Sequence, residues 1–505
     1  MTKAAKASKA TPQLQHVIGA HSSTHHILAK KLFEEGQIKD CIEFCKSLLL
    51  NNPDRWEVLN LMGIIAQRSG QTERAEELLS AATELNPDNP TLFYNLGLVL
   101  KQQARLDEAI DQLQRALSLN GDCPVTYYNV GLLMADKGLF AEAASYFQQA
   151  INNDPDYLPA YTKLAQVFIV QNRIDDAKYY YEAAISLNKK EPQPHFDHSL
   201  FLLRAAMTDE AWSEYQWRLK LPLYKSLKIT SRKKHFDGKP LKKGETLLIN
   251  NEVSFGHSIL FARFIDSIKH KDATIIVNAQ PELVRLFEQH KDVDKVIVHG
   301  KRKPKFDMHI PIQDFGELFV PNLKKIPHKV PYFKLDKDII KPWEALIKTD
   351  KKTTTVGFFW YSKHSADLQS TAHCPLAALD TLTSRKNTRI YSLQPNNAIA
   401  DGLKQDSQIH DLSEHFTDIA DVAAAMTRMD LIICVDSYIA HLAGALNIPV
   451  WNLLPWQHDW LWSNAGNKTT WYPSMELFRQ AELGTWEAVC EKVAEQFSAF
   501  KPKSD

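Results

Sequence analysis

Residues 56–191 hold four copies of one 34-residue pattern, in step and without a gap. Gly63, Gly97, Gly131 and Ala165 fall 34 apart, as do Ala75, Ala109, Ala143 and Ala177, and Ala82, Ala116, Ala150 and Ala184. Each copy ends in a turn pair: Asn86-Pro87, Asn120-Gly121, Asp154-Pro155 or Asn188-Lys189. Small residues at fixed offsets let two helices of a hairpin approach closely, and the turn residues stop the second helix. A degraded copy precedes the run, with Ala29, Gly36, Cys41, Leu48 and Pro53 at the right offsets. A worn sixth follows Pro192, with Ala211 and Tyr215 in phase, and ends in AWSEYQWRLK, which puts Trp212, Tyr215 and Leu219 on one helix face.

A 34-residue helical hairpin period is the tetratricopeptide signature. One such hairpin cannot bury its apolar face alone, so copies stack into an α-solenoid whose concave surface suits another chain. Within it, Asn95 and Asn129 occupy one repeat position, where stacked amides can grip a peptide backbone. Leu61 and Lys163 stand there in the flanking copies, so the ladder has two rungs.

Lys plus Arg equals Asp plus Glu, at 60 each in 505 residues. The zero net charge speaks against nucleic acid as a partner. The N-terminus is polar and basic, without the apolar core of a signal peptide, and no stretch has the apolar length to span a bilayer. The six cysteines form no CxxC pair, which fits reduced thiols in a cytoplasmic protein. The expected organisation is a disordered lead-in over 1–21, about six repeats over 22–225, and two Rossmann-like lobes over 235–340 and 350–500.

Beyond about residue 230, short apolar runs alternate with helical stretches. Strands are expected at 246–250, 274–279, 295–300 and 306–312, and again at 355–360, 389–395, 431–436 and 449–455. Apolar strands separated by helices imply parallel sheets covered on both faces, with ligands at the carboxyl ends of the strands. No GxGxxG or GxxxxGK[ST] is present, so a dinucleotide or P-loop site is not expected.

The sharpest local pattern is LIICVDSYIAHLAGALNIPVW. A buried strand ends at Asp436 and a helix starts near Ser437, whose first-turn amides suit a phosphate. His441, one turn in, either donates to that phosphate or is a satisfied surface histidine; Asp436 either takes part or merely caps the helix. Trp456, Trp460, Trp462, Trp471 and Tyr472 crowd the following loop, either to stack on a base or sugar or to plug the core. In the first lobe, Glu252, Ser254, Gly256 and His257 fall in a turn, where His257 is a candidate general base or a polar helix-start residue. Lys363 and His364 follow a second-lobe strand, as a diphosphate counter-charge or as solvated loop charge. The scattered histidines offer no metal-ligand spacing, so no metal is expected.

Residues from about 205 to 495 resemble bacterial tetratricopeptide proteins that carry a heptosyltransferase-type domain, and in plan O-GlcNAc transferase. EYQWRLK, FDGKPLKKGETLLI, LFARFI, DSYIAHLAGALNIPVWNLLP, HDWLW and WYPSMELFRQ carry the likeness. It implies a two-lobed GT-B fold and metal-independent transfer of a sugar from a nucleotide-diphosphate donor, which is substrate rather than cofactor. It further implies donor binding by Asp436, Ser437, Tyr438 and His441, with Gly256 and Lys363 in support, and a protein acceptor held by the repeats. The sequence departs from that pattern twice: His257 stands where the family has an Asp, and Ala372 where it commonly has an Arg. Two alternatives follow. One is an inactive transferase-like scaffold that binds proteins; the other is a transferase acting on lipopolysaccharide or another glycan.

Overall fold

The computed structural model describes residues 22–502 except 226, 228, 230, 269–271, 324–325, 327–328, 351, 363–373, 375–386, 395–408 and 463–465. The chain divides into two compact units at Lys189/Lys190.

The first unit is five helical hairpins: α1 (Ser22–Glu34) with α2 (Ile38–Asn51), α3 (Trp56–Arg68) with α4 (Thr72–Leu85), α5 (Pro90–Gln102) with α6 (Leu106–Leu119), α7 (Pro124–Asp136) with α8 (Phe140–Asn153), and α9 (Leu158–Val170) with α10 (Ile174–Leu187). The repeat glycines sit where the two helices of a hairpin touch. A Cβ on Gly63 would lie 2.6 Å from the Leu79 side chain, on Gly97 2.8 Å from Leu113, and on Gly131 2.7 Å from Phe147. The marker alanines from Ala75 to Ala184 are buried. The second helices end as expected: the backbone N–H of Asn86, Asn120 and Asp154 closes the last turn on Ala82, Ala116 and Ala150. Asn120 and Asp154 then accept from the N–H two residues on, an Asx turn.

One regularity was not legible in residue type. Gly36, Gly70, Ala104, Gly138, Asn172 and Ala206 are 34 apart, and all take positive φ, between 58° and 77°. This position ends the first helix of each hairpin in the left-handed conformation. Glycine adopts it freely, while alanine is strained there by about 1–2 kcal/mol. Ala104→Gly is therefore expected to stabilise the solenoid, by up to about 1 kcal/mol once glycine's extra chain entropy is charged against it. A higher urea midpoint for the variant would show it; a lower one would refute it.

The second unit opens with the sixth hairpin, α11 (Pro192–Arg204) and α12 (Thr208–Tyr215). Two parallel sheets follow. The first contains β1 (Lys234–His235), β2 (Thr246–Asn250), β3 (Thr274–Ala279), β4 (Lys295–Val298) and β5 (Met308–Pro311), in the order β1-β5-β2-β3-β4. The second contains β6 (Thr354–Phe359), β7 (Thr388–Ser392), β8 (Ile409–Asp411), β9 (Leu431–Val435), β10 (Val450–Leu454) and β11 (Met475–Arg479), in the order β11-β10-β9-β6-β7-β8. Counted from β6, that is the 3-2-1-4-5-6 order of doubly wound sheets, with its switch point between β6 and β9. Strands β6, β9 and β10 are buried throughout, as their continuous apolar runs lead one to expect of a parallel sheet's inner strands.

The sixth hairpin is knitted into this unit. Trp212 donates its indole N–H to the Val320 carbonyl at 2.9 Å, and a Cβ on Gly316 would meet its ring at 2.3 Å. After α12, Arg218 is fully buried and donates to both Glu252 carboxylate oxygens at 3.1 and 3.0 Å and to Asp314 at 2.5 Å.

Candidate functional site

The carboxyl ends of β2 and β9 bring the expected site residues close together. Ser254 accepts from the His257 N–H and so caps the helix Phe255–Ala262. After β9, Ser437 begins the helix Tyr438–Ala445. The two helices touch at Gly256: a Cβ there would lie 2.7 Å from the His441 ring. Gly256 thus makes room for a side chain of the protein itself.

His441 is buried, not a surface histidine at a mouth. Its ring stacks on Trp462 with centroids 5.1 Å apart, and Nδ1 lies 3.1 Å from the Tyr472 hydroxyl. Burial, with His257 nearby, brings its pKa down to about 3, so it is neutral at pH 7. Tyr438 meets Phe255 and Phe359 edge-on. Ser437 donates its hydroxyl to the Val435 carbonyl at 2.9 Å and makes no side-chain cap.

Asp436 accepts the Trp462 indole N–H at 2.8 Å and the Asp459 backbone N–H at 3.3 Å. Burial, together with the Asp459 carboxylate, pushes its pKa up to about 7. Burial also works to raise Asp459, but His257, 3.4 Å away, outweighs it and holds that carboxyl at about 2. The group is therefore a closed set in which Asp436, Asp459, His257, His441 and Trp462 engage one another. Asp459 was not singled out in the sequence, and Trp462 was weighed there only as one of several rings that could stack on a ligand or plug the core. The crowding of aromatic residues around them was the signal, and it marked a plug: Trp460, Trp462, Trp471 and Tyr472 are all buried. Lys363, His364 and Ala372 lie outside the described residues, as does the lead-in 1–21.

Glu252 belongs to a second closed set rather than to an open turn. Burial holds its carboxyl above the usual range. Burial acts on Asp314 in the same sense, but Arg218 and His235 overcome it and hold Asp314 low. Elsewhere in this unit, Asp266, His290 and Asp292 place three ligand atoms within 4.8 Å of one another.

In the solenoid, Asn95 donates its side-chain N–H to Asn60 at 2.8 Å, and Asn129 donates to the Tyr94 hydroxyl at 3.2 Å and to the Val125 carbonyl at 2.9 Å. Each amide thus bonds to the preceding copy. Burial lowers the Lys101 ammonium, with Lys163 acting in the same sense. Asp136 is exposed to water, yet desolvation holds its carboxyl up against the pull of both lysines.

Profiles described as tetratricopeptide repeat match residues 60–124, 100–157 and 134–195. Protein FlbA of Caulobacter vibrioides is 23% identical over 333 residues, which is 60% of this chain and 55% of FlbA, so the chain spans about half of that relative. Among solved structures, MamA is 25% identical, covering 32% of this chain and 95% of that one, with a TM-score of 0.31. YrrB, described as a TPR protein with an unusual peptide-binding site, is 20% identical, covering 36% and 94%, with a TM-score of 0.31.

Residues 60–195 thus match tetratricopeptide repeats, and an α/β region of two parallel sheets follows. The expectation of a metal-independent GT-B glycosyltransferase is corrected. The matching profiles are of tetratricopeptide repeats, and FlbA is not described as a transferase. The physical reason agrees: Asp436, His441 and His257 are already engaged by Trp462, Tyr472 and Asp459. Among the described residues, no helix is long and apolar enough to cross a membrane.

Proposed function

We propose that this protein is a docking scaffold, in which the repeat array holds a segment of another protein and the α/β unit is a transferase-like body without transfer chemistry. The observation that carries this is the stack of helical hairpins that the repeat profiles match, with a cluster of charges on it. Lys101 is desolvated and lies within charge range of Asp136 and Lys163. Charges kept in such surroundings are costly unless a partner uses them, and a solenoid's concave face is where its partners sit.

The test is charge reversal. Affinity capture with the full chain, quantified by mass spectrometry, should retain one set of proteins. Lys101→Glu combined with Lys163→Glu is expected to reduce that capture about 10–100-fold, since a mismatched desolvated charge costs several kcal/mol. Tyr179→Ser, at an exposed position on α10, should leave capture unchanged. A captured set that survives the double reversal intact removes the groove from the account.

A further inference from the structure

We propose that Asp266, His290 and Asp292 bind one borderline divalent cation of the zinc class at the amino-terminal edge of the first sheet. Asp266 lies in the turn Ile265–Ser267, just after the helix Phe255–Ala262. His290 and Asp292 lie between the helix Val284–Phe287 and β4. The edge is fixed by Asp294, whose carboxylate accepts the Ile275 N–H at 2.7 Å where β3 begins. Open α/β sheets bind substrates at the opposite, carboxyl edge. A cation here would tie two turns together, a structural role.

The geometry points to a missing partner. His290 is 1% exposed and its Nε2 has no hydrogen-bond partner; the buried Asp266 Oδ1 has none either. They face each other at 3.5 Å. That is long for a hydrogen bond, and close to the roughly 3.3 Å between two ligands of a tetrahedral ion with bonds near 2.0–2.1 Å. One nitrogen, two carboxylates and a water make a four-coordinate set suited to zinc better than to magnesium.

Four groups compete. Lys329 lies 2.9 Å from Asp266 Oδ2, and Lys291 lies 3.2 Å from Asp292 and 3.6 Å from Asp266. Both lysine side chains are mostly exposed and can swing away. The Asp292 N–H points at His290 Nδ1 from 3.3 Å and favours a proton on Nε2, which the cation has to displace. The Ala262 carbonyl, also beside the ring, acts in the same direction.

The full chain, freed of metal by a chelator, would be titrated with zinc chloride by calorimetry, with magnesium chloride as the control arm. One equivalent of zinc should bind and magnesium should not. Asp292→Asn and His290→Gln should each weaken zinc binding by more than about tenfold. The Asp292 side chain is 24% exposed, so Asp292→Asn tests the site even where the buried His290 variant fails to fold. Absence of saturable zinc binding would overturn the proposal. So would zinc binding undiminished in Asp292→Asn, which would assign the ion to other histidines.

Discussion

Replacing Arg218 with leucine is expected to destabilise the α/β unit by about 3–5 kcal/mol at neutral pH, the usual cost of removing one partner from a buried ion pair. The guanidinium is fully buried, is shared by Glu252 and Asp314, and lies over the Tyr215 ring at 4.5 Å. Leucine fills part of the space but leaves two buried carboxylates with His235 as their remaining cation. Protonation then becomes the escape, so the deficit should shrink as pH falls. The parent responds differently because its two carboxylates oppose each other. Asp314, held low, contributes stability that is present above its unfolded pKa and lost as pH falls through the folded value. Glu252, held high, contributes with the reverse slope. Hydrogen exchange at Leu247 and Ile310, in paired strands β2 and β5, reads the unit directly and avoids assuming two-state unfolding of the whole chain. A deficit below about 1 kcal/mol, or one equal at pH 4 and pH 8, would contradict this account.

The repeats were legible because each copy states its packing locally: a small residue where helices touch and a turn residue where one stops. What residue type hid was the left-handed position at Ala104 and Ala206, where register imposes a conformation that alanine does not favour. The inner strands were legible as apolar runs. The edge strand β1 was not, since Lys234 and His235 are exposed and paired only through β5. The site was legible as a cluster but not as a chemistry. Asp436 and His441 look like donors and caps until Trp462 and Tyr472 arrive, 26 and 31 residues further along the chain. Only tertiary structure decides whether a polar residue at a strand end faces solvent or a neighbouring ring. Asp266 and His290 illustrate the same limit, since β3 and its following turns separate them in sequence.

Asp436→Asn is expected to stabilise the α/β unit at pH 8 and to do little at pH 5. In the folded protein this carboxyl has a pKa of about 7, against about 3.9 for an unfolded aspartate. The folded state therefore keeps a proton that the unfolded chain has released. Stability contributed by Asp436 is full below the unfolded value and falls as pH rises toward 7. Asparagine cannot ionise, so it removes that slope. It keeps the carbonyl oxygen that accepts from Trp462, but turns an amide toward the Asp459 N–H, a mismatch of about 1 kcal/mol at any pH. A tenfold difference in proton affinity between the folded and unfolded chain is worth about 1.4 kcal/mol, so the net gain at pH 8 should be about 1–3 kcal/mol. A variant less stable than the parent at pH 8 would show that Asp436 is ionised and well held. The same variant bears on function. The docking reading places the working surface in the repeats, so Asp436→Asn should capture the same proteins as the parent in full. Loss of capture together with gained stability would mean that the ionised carboxylate serves the partner directly, and that the closed set around it opens when the partner binds.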